Sequence, residues 1–96
     1  MAAYVVLNVE VTDPARYPEY VKVAGATVEK YGGRFIVRGG KAEKLEGQIE
    51  PKRVVILEFP SAERAKAWYD SEEYREAKEI RKAASRGSLL LVEGTA

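Results

Sequence analysis

The stretch Arg53–Tyr74, RVVILEFPSAERAKAWYDSEEY, constrains the fold more than any other part of the chain. Val54, Val55, Ile56 and Leu57 form a continuous β-branched and aliphatic run, the pattern of a strand covered on both faces. Pro60 has no N–H to give a ladder, so pairing stops there. Ser61 then offers a hydroxyl N-cap, and Glu63 places an anion in the first helical turn. Ala65, Trp68 and Tyr69 follow at i, i+3 and i+4, one apolar face that folds back over the strand. One helix covers only part of such a strand, so the rest of the chain must supply more sheet.

The remaining segments provide it. Tyr4 to Val11 alternates, with Val5, Leu7, Val9 and Val11 on one side and Tyr4, Val6, Asn8 and Glu10 on the other. Asp13-Pro14 has the form of an N-cap and first helical residue. Tyr17, Tyr20, Val21, Ala24, Val28 and Tyr31 then make a helical stripe that Gly32-Gly33 ends. Pro18 requires either a helix that begins near Tyr17 or a kink in its first turn. Arg34–Arg38 is expected as a second strand, with Phe35 and Val37 on one side and Arg34, Ile36 and Arg38 on the other. Gly39-Gly40 marks a turn, Ala42 to Glu46 a short polar strand, and Gly47 to Lys52 a loop. Ser71, with Glu72 and Glu73, restarts a helix carrying Tyr74, Ala77, Ile80, Ala83 and Ala84. A loop over 85–88 and a last strand over 89–93 close the pattern.

The expected order is β-α-β-β-β-α-β, an α+β chain forming one domain over residues 1–96. Right-handed crossovers make it a ferredoxin-like antiparallel sheet with its helices on one face. The other face is left bare. By pleat parity it presents Tyr4, Val6, Asn8, Glu10, Arg34, Ile36, Arg38, Val54, Ile56 and Glu58, too apolar for plain solvent and too polar for a dry core. Two copies packed sheet to sheet would bury the aliphatic residues and enclose a cavity, which predicts a homodimer.

Composition removes several function classes. Sixteen basic and fifteen acidic residues leave a charge of +1, so no field draws a polyanion and neither nucleic acid nor a membrane is expected as partner. The chain has no Cys and no His. Thiolate sites, cysteine nucleophiles and imidazole ligands are therefore excluded, and no cofactor or metal is expected. The first apolar run is short and alternating, unlike an export or membrane segment, so a cytoplasmic location is expected.

The stretches AYVVLNVEVTDPARYPEY, KYGGRFIVRGGKAEKLEG, RVVILEFPSAERAKAWYDSEEY and ASRGSLLLVEG closely resemble the domain of unknown function 1330 (DUF1330) family, in order and over nearly the whole chain. The resemblance implies a dimeric α/β-barrel, a superfamily that includes cofactor-independent monooxygenases and haem-degrading enzymes. Its haem-degrading members use an Asn on the first strand, a Trp on the second helix and a His after it. Asn8 and Trp68 occupy similar places, but the His position falls near Lys78, which argues against haem degradation.

Six residues are candidates for ligand binding: Asn8, Arg38, Glu58, Trp68, Tyr74 and Arg86. Each also has a plainer role. Trp68 and Tyr74 suit a core, Arg38 and Glu58 an interfacial ion-pair network, and Arg86 a solvated loop. Glu58 or Glu10, if desolvated, could serve as a general base, and Tyr69 could line a cavity. Two functions stay open. One is a small-molecule-binding homodimer with its cavity between the two sheets. The other is a cofactor-independent monooxygenase or isomerase acting on a small aromatic or quinol, where an arginine steadies a substrate anion in a dry pocket.

Overall fold

The computed structural model describes residues 1–95; Ala96, the last residue of the expected domain, lies outside them. Strand β1 (Ala3–Val11) is followed by helix α1 (Tyr17–Lys30), strands β2 (Arg34–Arg38) and β3 (Arg53–Phe59), helices α2 (Ala62–Tyr69) and α3 (Glu72–Ala84), and strand β4 (Ser85–Glu93). The four strands form one antiparallel sheet in the order β2-β3-β1-β4, the ferredoxin-like arrangement of an α+β fold. Val5, Leu7 and Val9 of β1 and Val55, Leu57 and Phe59 of β3 turn toward the helices and form the core with residues of α1, α2 and α3.

Local chemistry sets the helix ends. Helix α1 begins at Tyr17, which puts Pro18 in the first turn, where its missing N–H costs nothing. Asp13 does not cap that helix. It starts a separate turn, its side chain accepting from the Arg16 N–H at 3.2 Å. Gly32, at φ +80°, lets the chain leave α1 while the Gly33 N–H reaches the Val28 carbonyl at 2.9 Å. Ser61 and Ser71 cap α2 and α3 by accepting from the Arg64 and Tyr74 N–H groups.

Three expectations give way. Ala42 to Glu46 forms no strand, because its one large apolar residue, Leu45, is 89% exposed and has nothing to pack against. The segment 85–88 is not a loop: β4 runs from Ser85, pairing with β1 along its full length. Strand β2 carries an irregularity between Phe35, opposite Leu57, and Val37, opposite Ile56. Ile36 is the extra residue, so Arg38 falls beside Val55 on the helix-covered face instead of the bare one.

The helices are also clasped by charge. Glu73 accepts from the Lys30 ammonium at 2.5 Å and the Tyr31 hydroxyl at 3.0 Å, joining α3 to α1. Chiefly the Lys30 bond, with backbone and Tyr31 donors, draws its carboxyl from the usual 4.5 down to about 2. Since the folded-state value is the lower one, the clasp stabilises above about pH 4.5 and is lost as pH falls toward about 2. Glu73→Gln should lower the melting midpoint at neutral pH and flatten its dependence across that window. An acid profile overlaying the wild type's would contradict this.

Candidate functional site

The six candidates do not converge within one chain. Trp68 and Tyr74 are fully buried in the core, their ring centroids 4.1 Å apart. The Trp68 indole N–H donates to the Thr27 hydroxyl at 3.0 Å, and the Tyr74 and Tyr20 hydroxyls lie 3.0 Å apart. Burial pushes both phenols up, so each stays protonated at neutral pH, although the hydrogen bond to Tyr20 and the Arg81 charge oppose the rise at Tyr74. Neither is placed to act as a base.

Asn8 and Glu58 lie on the bare face; Arg86, on the edge strand β4, faces Glu10 there and also borders the helix-side cleft beside Gly87. Asn8 braces the loop before β3, donating to the Glu50 carbonyl at 3.2 Å and accepting from the Lys52 N–H at 2.8 Å. Glu58 sits opposite Tyr4, and Arg86 opposite Glu10. Six residues of β1 therefore separate them, about 20 Å. The Arg34 guanidinium, 2.6 Å from Glu58, draws that carboxyl below its ordinary value. Glu58 is held ionised, and the same stabilisation of its anion lowers its affinity for a proton and makes it a weak general base. Beside these groups the face carries Val6, Val54 and Ile56, with Leu90 61% and Val92 48% exposed on β4.

Two of the roomy clefts lie on the helix side, along the edge strand β4. One, of about 320 Å³, runs between α2 and β4, with Val5, Leu89 and Leu91 as floor and Ala65, Trp68 and Tyr69 as wall. A second, of about 360 Å³, is lined by Arg81, Lys82, Arg86 and Gly87. Tyr69 and Leu89 border both, so the two clefts adjoin at these residues. The Lys78 ammonium stands 3.8 Å from the centroid of that ring. Arg81 is 7% exposed and its Nε has no partner. The combined cleft is apolar and aromatic at one end and cationic at the other. Asp70 is the one acid lining it, at the apolar end, and Glu10 approaches Arg86 from the bare face at 3.9 Å. Such a space suits a flat apolar body bearing an anionic oxygen. Among the described residues no three Asp or Glu side chains gather closely enough to hold a metal ion, and no helix is long and apolar enough to cross a membrane.

A family model described as Domain of unknown function (DUF1330) matches residues 2–95. The chain belongs to the DUF1330 family. No curated protein matches this DUF1330 chain. Among solved structures it is similar to the RPA0582 protein of unknown function from Rhodopseudomonas palustris, with a TM-score of 0.80, 22% identity, and coverage of 99% of this chain and 83% of that one. The methylated form of that protein gives 0.78 at 22% identity, covering 99% and 82%. It is also similar to SnoaB, a cofactor-independent oxygenase from Streptomyces nogalater, with a TM-score of 0.68, 11% identity, and coverage of 99% and 94%. At these identities the likeness establishes the fold of the DUF1330 chain and nothing more.

Arg81 and Lys82 were not among the sequence candidates. The signal was there: Tyr74, Ala77, Arg81 and Ala84 are spaced three, four and three apart, all buried, which puts a guanidinium inside an apolar stripe.

Proposed function

We propose that this chain is a cytoplasmic homodimer that binds a small planar aromatic carrying an anionic oxygen. The ring lies in the α2–β4 cleft against Tyr69, Leu89 and Leu91, and the oxygen points toward Arg81, Lys82 and Arg86. The observation that carries this is that a mainly apolar cleft of about 320 Å³ and a cationic one of about 360 Å³ share Tyr69 and Leu89 as lining. A cavity of that size is large enough for a small aromatic. The cavity expected between two sheets needs a second copy; within one chain the helix side holds the space, beside a buried guanidinium whose Nε has no partner.

The bare face supports the dimer. Val6, Ile56, Leu90 and Val92 are the kind of apolar patch that pairs with a second copy of itself. Sedimentation at micromolar concentration should give a dimer that Val6→Asp converts to monomer; a monomeric wild type would overturn this part.

Catalysis is the second possibility, favoured by the fold likeness to a cofactor-independent oxygenase. A bound phenolate can itself pass an electron to dioxygen, so a dry pocket and nearby cations are what the protein must supply, with Asp70 available to take a proton. Titration with 2-naphthoate, followed by Trp68 fluorescence, tests the binding claim. A Lys82→Ala/Arg86→Ala double variant should weaken it about tenfold or more. No saturable binding, or equal affinity in the variant, would sink it. Oxygen uptake with a panel of hydroquinones then decides catalysis, and a rate equal to the protein-free blank leaves a binding protein.

A further inference from the structure

We infer that Arg38 and Arg53 form a second binding site, for the carboxylate of a short-chain acid. The site does not rest on the aromatic ligand proposed above. Because Ile36 is an extra residue in β2, Arg38 lies beside Val55, and Arg53, two residues earlier in β3, is on the same face, opposite Val9. Both side chains project beneath α1. The Arg38 guanidinium carbon rests 3.9 Å from the Phe35 ring centroid, and that of Arg53 is 5.6 Å from the Tyr17 ring. Among the described residues neither makes an ion pair, and the Arg53 Nε is buried without a partner. Like charges on neighbouring strands repel, and an anion bridging two guanidiniums by paired N–H bonds removes that repulsion.

The space beside them sets the size of the ligand. Both arginines line an internal cavity of about 20 Å³ that reaches Leu7, Leu57 and Trp68. It has room for about one water-sized group, hence for a terminal methyl and not for a ring. On its outer side Arg38 lines a surface groove of about 300 Å³ with Gly25 and Phe35. Arg38 therefore stands between groove and cavity. An acid entering from the groove would leave its carboxylate between the two guanidiniums and its apolar end inside.

Amide shifts measured by NMR during titration with propionate, benzoate or chloride at matched ionic strength test this. Propionate should shift Gly25, Gly39 and Arg53 saturably and leave Leu89 and Leu91 unmoved, with benzoate about tenfold weaker or silent. Arg38→Gln, at an exposed position, should weaken propionate about tenfold, as should Arg53→Gln if it folds. Propionate should also raise the wild-type melting midpoint and not that of Arg38→Gln. Equal shifts with chloride, shifts that do not saturate, or propionate affinity unchanged in Arg38→Gln would overturn the site. Shifts confined to Leu89 and Leu91 would overturn it too, while leaving the α2–β4 cleft intact.

Discussion

Replacing Trp68 with alanine is expected to destabilise the protein by about 3 to 5 kcal/mol, the largest effect of any single side-chain truncation in the chain. The ring is fully buried, 4.1 Å from Tyr74 and 5.4 Å from Phe59 by ring centroids, and its N–H is the donor to the Thr27 hydroxyl. That hydroxyl in turn donates to the Ala24 carbonyl at 2.7 Å. Truncation removes the apolar contacts of α2 with α1 and α3 together and opens a cavity that backbone relaxation fills only in part. A chain of 96 residues has a total stability of about 5 to 15 kcal/mol, so the variant loses a large share of it. Urea unfolding followed by circular dichroism measures the difference, because the one tryptophan is gone. Trp68→Phe keeps most of the packing and should cost about 1 to 2 kcal/mol, the hydrogen bond and part of the volume. A loss below about 1 kcal/mol in the alanine variant would mean that the helices are held by something other than this ring.

The second large effect is expected at Gly87. It is paired with Val9 at φ +153°, and a Cβ there would lie 2.1 Å from the Asn8 carbonyl oxygen and 2.7 Å from the Val9 Cα. Both obstacles are backbone of the neighbouring strand, so no rotamer change relieves the clash. Gly87→Ala should cost about 3 kcal/mol or more and unpair 85–88 from β1. Arg86 leaves the cationic end of the cleft with it. Amide exchange should show lost protection over 85–89, together with a melting midpoint several degrees lower. A midpoint within about a degree of the wild type's would mean that β4 begins only at Leu89.

These two positions show what the residues disclosed and what they did not. The Trp68 stripe, the break at Pro60 and Ser61 and the alternation of β1 each follow from a period or a missing donor, so the order of elements was readable apart from the strand expected over 42–46, and the sheet has four strands instead of five. Gly87 read as a loop because a glycine amid Ser and Arg signals a turn. It serves instead as the point where two backbones approach too closely for any side chain, and only the partner strand reveals that. The site was harder. One extra residue at Ile36 reverses the face of everything after it, and strict alternation placed Arg38 on the bare side for that reason. Asn8 was a candidate ligand group but braces a loop, because its partners lie 42 and 44 residues away. The cationic end of the cleft is assembled by α3 and β4 meeting at Ser85, and no spacing within either segment encodes that meeting.

Crystals grown with 2-naphthoate test the central proposal most directly. The ring should lie between Tyr69 and the Leu89–Leu91 floor, with the carboxylate at Arg81, Lys82 and Arg86. Naphthoate held instead between two sheets, or a cleft filled by side chains of a neighbouring copy while the ligand stays in solvent, would contradict it.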